Sequence, residues 1–426
     1  MRKIIFLFLI TSLCAQIKFD NYFFNKTMRF DYIHAGNHST SLYYFNKIKE
    51  EPYWGGSKIN LLDTLNLGDY FFKVVDSLSG REIYSKGYSS LFYEWQTTDE
   101  ANKINKSMEE SLIFPFPKKP VILEIYERDT LNNFEKVFSF NIDPASYFIM
   151  NENDSKYEKF AFHYSGDPAA NYDLVFLPEG YSESDSAKFR TDSENLISYL
   201  FEFEPFKAYS DKINIWGVKA FPKDSGVDIP KDSVWKNTLM DFTYYTFDSE
   251  RYLMTENYQK VRDIAANAPY DNIYVIVNSE KYGGGAIYNF YCAVAAGNKM
   301  AKEVFVHEFG HGLAGLADEY YTSEVSYENY FSPDVEPWQV NITTMVNFNS
   351  KWKNDIQEGI PVPTPDDDKY NNVLGAFEGG GYVANGVYRP TRNSIMKTLS
   401  EKSFNLPSIK IIKRILNLSS QKAGKQ

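Results

Sequence analysis

Hydrophobic and polar positions change rhythm once along the 426 residues, near position 150. Up to there the chain runs in short alternating or apolar stretches, such as YFFKVV (70–75) and VILEIY (121–126). Turn-forming stretches such as WGGS (54–57) and SLSG (77–80) separate them. A period of two with frequent breakers predicts an antiparallel β-sandwich. The polar stretch NENDSK (151–156), just after Asp143-Pro144, reads as a linker, so a front domain is expected over 16–152 and a second over 153–426.

Beyond the linker, strand and helix patterns alternate. DLVFL (173–177), INIWGV (213–218) and NIYVIV (272–277) read as buried strands, whereas 184–203 and 249–266 carry helical spacing. This order implies a largely parallel sheet covered by helices, hence an α/β unit behind the sandwich and an α+β multidomain chain as a whole. The stretch GGGAIYNFYCAV (283–294) is expected to be an edge strand beside a site, to which an extended substrate adds by backbone hydrogen bonds. Its candidate contact residues are Ala286, Tyr288 and Phe290. A phosphate loop is disfavoured, because no Gly-Lys-Ser/Thr follows the glycines. Near the end PSIKIIKRIL (407–416) has an amphipathic helical pattern and is expected to pack on the second domain.

The first residues stand outside this pattern. Arg2 and Lys3 precede the apolar run 4–10 and the small-residue end SLCAQ (12–16), which reads as an export signal of bacterial type, cut after Ala15. Cys14 is the alternative, a lipid-anchor cysteine, but the bulky Leu13 before it fits poorly. The mature protein is then expected in the periplasm, at the cell surface or secreted. No later run approaches the ~20 apolar residues of a membrane helix. With Cys14 removed only Cys292 remains, so no internal disulfide is available and packing, with or without a metal, must hold the exported fold. Losing the two signal cations takes the formal net charge from −11 to −13, a balance that repels phosphate backbones and argues against nucleic acid as a partner.

Candidate chemistry is concentrated in VFVHEFGHGLAGLADEYY (304–321). Val304, Phe305, Phe309 and Leu313 have helical spacing, so His307 and His311 fall one turn apart on a shared face and both can reach one zinc ion. Glu308 projects beside that ion as a general base. With five histidines in the chain, chance places such a pentad in roughly four of a thousand sequences of this length. The other three, His34, His38 and His163, have no partners at ligand spacing and read as structural. The acidic run Asp366-Asp-Asp368 has ligand chemistry for calcium but not the alternate-position spacing, and is expected to be a solvated loop. The front domain offers no clustered ligand set, so it is expected to assist recognition without contributing a catalytic group.

HEFGH followed by GLADEYY resembles the igalysins, the immunoglobulin A metallopeptidases, and more distantly the metzincin clan of zinc endopeptidases. Further similar stretches are MRFDY (28–32), FPFP (114–117), FLPEGY (176–181), SGVDIP (225–230), GAFEGGGY (375–382) and YRPTRNSIM (388–396). The resemblance implies a metzincin-like catalytic domain, one catalytic zinc ion and an extracellular protein or peptide substrate, immunoglobulin A-like or another glycoprotein. It also implies that Met396 lies under the metal as an apolar floor. Many clan members carry a tyrosine two residues later, where Thr398 stands here. The clan's glycine and third ligand fall three and six residues after the second histidine, at Ala314 and Ala317 in this chain. Gly315 and Asp318 come one residue later, so a turn lengthened by one residue makes Asp318 the expected third ligand. Glu319 is the runner-up, and Tyr320 and Tyr321 are weaker contacts. Two rival functions remain at this level: a zinc-dependent amidase acting on cell-wall or glycan amides, and a glycan-binding or adhesion protein.

Overall fold

A computed structural model describes residues 16–151, 156–321 and 331–421. The expected export signal over 1–15, with Cys14 and the cut after Ala15, lies outside the described residues, as does most of the expected linker, 152–155.

After a short helix α1 (Phe19–Tyr22), the front region folds into two four-stranded sheets. Their strands are β1 (Phe23–Asn37), β2 (Thr40–Glu51), β3 (Tyr70–Asp76), β4 (Glu82–Tyr88), β5 (Lys106–Pro117), β6 (Val121–Arg128), β7 (Phe134–Ile142) and β8 (Met150–Asn151), with helix α2 (Leu91–Gln96) between β4 and β5. One sheet runs β5-β1-β2-β8 and the other β4-β3-β6-β7, antiparallel throughout except where β8 joins β2. Alternation explains the sandwich: Phe30, Tyr32, Phe72, Val74, Leu112, Phe114, Leu123 and Ile125 all turn inward to one core.

The central strand β1 is buried on both faces. Met28, Phe30 and Tyr32 enter the sandwich core, whereas Arg29 and Asp31 face the rest of the protein. Arg29 holds Asp31 through two hydrogen bonds of 2.8 Å, reaches Glu51 at 3.2 Å and meets Asp263 at 2.8 Å, all but Asp263 fully buried. Removing one member of a buried ion cluster leaves the others uncompensated. Arg29→Ala is therefore expected to cost about 3–5 kcal/mol of stability, measured by denaturant unfolding; a loss within error of zero would refute this role.

The second region is built on a six-stranded sheet ordered β13-β14-β12-β10-β11-β9. Its strands are β9 (Lys159–His163), β10 (Tyr172–Glu179), β11 (Ile213–Val218), β12 (Asn272–Val277), β13 (Gly284–Ala286) and β14 (Cys292–Ala295). The four inner strands are parallel and the two edges antiparallel. One face, with Phe176, Ile215, Tyr274 and Val294, packs on α3 (Ser186–Leu200), α5 (Ala301–Ala314) and α6 (Leu406–Ser419). The other, with Val175, Ile273, Val275 and Ala293, packs on α4 (Tyr258–Ala265) and on Leu91, Phe92 and Trp95 of α2. A hairpin, β15 (Phe377–Gly380) and β16 (Val383–Arg389), completes the described strands. The chain is thus a mixed α/β protein with a β-sandwich at its front.

Two expectations need correction. The helix expected over 249–266 forms only at Tyr258–Ala265. Upstream of it Leu253 N–H donates to Gly284 O and Met254 pairs with Thr243, so tertiary strand pairing outcompetes helical spacing. The single edge strand expected over 283–294 is two strands, with β13 at the edge and β14 inside. Among the described residues no helix is long and apolar enough to cross a membrane.

Candidate metal centre and cleft

Helix α5 carries HEFGH with its apolar side, Val304, Phe305, Phe309 and Leu313, buried on the sheet. Two of its glycines are required by space. A Cβ on Gly312 would lie 2.1 Å from Cys292 Sγ, and one on Gly310 2.8 Å from Met396 Sδ. The helix stops at Gly315, whose φ of 57° turns the chain back over the histidine face.

That turn delivers Asp318 to the histidines. His307 Nε2, His311 Nε2 and Asp318 Oδ1 are separated by 3.1, 3.0 and 3.3 Å. Each imidazole has its other nitrogen engaged: Nδ1–H of His307 donates to Ile395 O at 2.9 Å and that of His311 to Leu316 O at 2.5 Å. With Nδ1 protonated, both Nε2 atoms present lone pairs, and Asp318 Oδ1 receives no hydrogen bond. In that neutral tautomer three lone pairs converge on one point. Ligand atoms about 2.0–2.1 Å from a tetrahedral ion are about 3.3 Å apart, so the set fits a metal such as zinc. The electrostatics agree. Burial works against a charged His311, yet the Asp318 carboxylate and Glu308 outweigh it and lift the group to about 9. Burial likewise opposes ionisation of Asp318, but the two imidazoles hold its carboxyl well below the usual range. The cluster favours positive charge at its centre.

Glu319, the runner-up for third ligand, points elsewhere. Its buried carboxylate accepts from Ser394 Oγ at 2.6 Å, Asn341 Nδ2 at 2.8 Å and Asn405 Nδ2 at 2.6 Å, while its backbone N–H donates to Met396 O. It ties the turn after α5 to the segment 394–396, which brings the fully buried Met396 against Gly310. Tyr382 Oη donates to Asp318 Oδ2 at 2.5 Å and leaves Oδ1 facing the histidines.

A cleft opens over the three groups. It is bordered by Glu308, by Ala286 of β13, by Arg251 and Tyr320, which share a 3.3 Å hydrogen bond, and by Glu94 of α2. Burial raises the Glu308 carboxyl above its ordinary value, with the two histidines pulling the other way. Burial also pushes Glu94 up to about 8, against the hydrogen bond it accepts from the Tyr252 hydroxyl.

Of the three residues expected to contact substrate, Ala286 borders this cleft. Phe290 does not: it is buried in the core, stacked on Tyr258 with ring centres 3.6 Å apart. Tyr288 is buried too, at the floor of an adjoining recess, with its carbonyl bonded to Ser89 N–H. The chain turns inward after Ala286 to start β14, which withdraws both rings from any edge. Even at the edge, Gly284 is already bonded to Arg251 O and Leu253 N.

Arg251, Tyr382 and Glu94 carried no sequence signal of their own. They lie far from α5 in the chain, although Tyr382 falls in a stretch that resembles the igalysins. His34 is stacked between Tyr43 and Phe92 and bonded to Glu110, and His163 Nε2–H donates to Ser210 O, so both have structural partners. Asp366 and Asp368 pair with Arg392.

The profile of the IgA peptidase M64 family matches residues 160–373 and 366–416, and that of the peptidase M64 N-terminus matches 18–139. The chain belongs to the peptidase M64 family. This peptidase M64 chain is a hydrolase of peptide bonds. Its first family match spans α5 and Asp318, its second spans Met396, and its N-terminal match includes Asp69 and Glu94. No curated protein matches the M64 chain in sequence.

Proposed function

We propose that this peptidase is an exported, zinc-dependent endopeptidase acting on extracellular proteins, in which a front domain over 16–152 assists recognition by a catalytic domain over 153–426. The observation that carries the reading is the convergence of three possible ligand atoms, His307 Nε2, His311 Nε2 and Asp318 Oδ1, within reach of one ion. These three residues would hold the ion. When bound, zinc supplies Lewis acidity toward a water molecule and toward the scissile carbonyl. Glu308 takes a proton from the attacking water and passes it to the leaving amine nitrogen. Its buried position favours this exchange, since a carboxyl raised by desolvation is a stronger base than an exposed one. Met396, packed against Gly310 beside His311, would serve as the apolar floor of the site. Ala286 offers the backbone contact for an extended chain, because the outward groups of Gly284 are already paired. Export rests on the signal pattern of residues 1–15. The family's description as IgA peptidases supports immunoglobulin A or similar linker-bearing glycoproteins as substrates.

Chelation tests the metal requirement. Stripping the mature protein is expected to abolish cleavage of an unfolded protein substrate, and stoichiometric zinc to restore it. Undiminished cleavage by protein that elemental analysis shows to be free of metal would overturn the reading.

A further inference from the structure

Beside His311 the cleft continues into a recess whose front wall comes from the sandwich. Asp69, Ser89 and Glu94 border it, facing Trp338 and Gln339 across the Tyr288 floor. Apart from His311 its charged side chains are all carboxyls; neither lysine nor arginine borders it among the described residues. The donors on the wall are already committed: Trp338 Nε1 and Ser89 Oγ both donate to Asp69, at 2.8 and 2.5 Å, and the Tyr252 hydroxyl donates to Glu94. Arg128, the cation that acts on Asp69, spends its guanidinium on the carbonyls of Asn66, Gly68 and Asn132.

Acceptors, by contrast, are left over. Gln339, only 6% exposed, has an unpartnered Oε1, and Glu94 presents a carboxylate whose Oε2 is the atom bonded by the Tyr252 hydroxyl. His311 is the charge of opposite sign that acts on Glu94, and it does not offset the burial of that carboxyl; a cationic donor lessens such a penalty, whereas an acidic side chain adds to it. The recess thus asks its occupant for N–H donors and positive charge. It also opens directly beside His311 and Asp318, so an occupant would belong to a chain crossing the metal centre.

We propose that this recess is a subsite for a lysine or arginine side chain next to the scissile bond, with Glu94 as the specificity-determining residue and Asp69 and Gln339 in support; the proposal rests on the endopeptidase reading above. It makes the sandwich a part of the substrate site. Arginine is the better occupant where its fork can meet both Glu94 and Gln339.

The test uses the zinc-loaded full mature chain and peptides acetylated at the amino end, so that a free α-amino group cannot substitute for the side chain. Wild type is expected to cleave next to arginine or lysine with kcat/KM at least tenfold above the matching citrulline or glutamine peptides. Glu94→Gln is expected to shrink that ratio at least tenfold, and Glu94→Lys to invert it in favour of aspartate and glutamate. The ratio is the readout. If basic residues are not preferred in wild type, or if the Glu94 variants slow basic and neutral peptides equally, the subsite is refuted while the endopeptidase reading stands. A second measurement needs no turnover: full-length Glu308→Gln is expected to bind the arginine peptide at least tenfold more tightly than its citrulline twin, a difference lost when Glu94→Gln is added. Equal binding refutes the subsite. A retained arginine preference in protein that cleaves nothing refutes only the hydrolytic reading.

Discussion

Glu308→Gln is expected to lose at least about 10²-fold in kcat/KM while keeping its fold and its zinc. The substitution preserves the shape of a buried side chain on a helix whose other face is packed on the sheet, so the scaffold has no reason to move. It removes the one property the mechanism requires, a carboxylate able to accept a proton from water and give it to the amine. Glu94, another carboxyl at the cleft, sits on α2, accepts a hydrogen bond from the Tyr252 hydroxyl and is not positioned by α5. A fluorogenic peptide assay with zinc stoichiometry and a thermal melt on the same sample decides the matter. Turnover near the wild-type level in a zinc-loaded sample would remove Glu308 from the mechanism.

Neighbouring carboxylates should fail in opposite ways. Asp318→Ala removes a converging acceptor and is expected to weaken zinc binding at least about 100-fold, beyond the loss seen for outer partners. It also removes the carboxylate that the imidazoles hold low and that lifts His311, so some loss of stability of the metal-free fold at neutral pH is expected as well. Glu319→Ala strips the acceptor from three buried donors, on Ser394, Asn341 and Asn405, each costing about 1–3 kcal/mol when left unpaired. Destabilisation should therefore be its main defect, visible in denaturant unfolding of the metal-free protein. Competition with a chromogenic chelator measures the zinc side. A strong zinc defect in Glu319→Ala with none in Asp318→Ala would reverse the assignment of the ligand.

What could be read ahead of the structure was whatever local spacing determines. The strands 213–218 and 272–277 were legible because buried strands of a parallel sheet are continuous apolar runs bounded by breakers. Helix α5 and the placement of His307 and His311 followed from a 3.6-residue period, and Gly315 marked the turn. Residues 251–254 were misread because Leu253 and Met254 fit the helical period of α4, yet their backbone is used to pair with Gly284 and Thr243. Phe290 was misread for a related reason, because an alternating aromatic run looks the same at a sheet edge and inside a core; Tyr288 is buried as well, but as the floor of the recess beside His311. Glu94, Arg251 and Tyr382 were invisible as site residues, since only long-range packing brings positions so far apart in the chain to one cleft.

The tie at Glu319 bears on when the enzyme becomes competent during its own synthesis. Asn405, which donates to Glu319, also caps the start of α6 by accepting from Ser408 N–H at 3.2 Å and Ser408 Oγ at 2.8 Å. Ser394 and Asn405 lie far downstream of the histidines, so a ribosome-bound chain that has exposed HEFGH still lacks the groups that fix the turn carrying Asp318. The turn carrying Asp318 gains its full set of ties only once the start of α6 has docked. A chain ending before residue 405 would lack the Asn405 bond to Glu319 and with it part of what fixes the turn carrying Asp318.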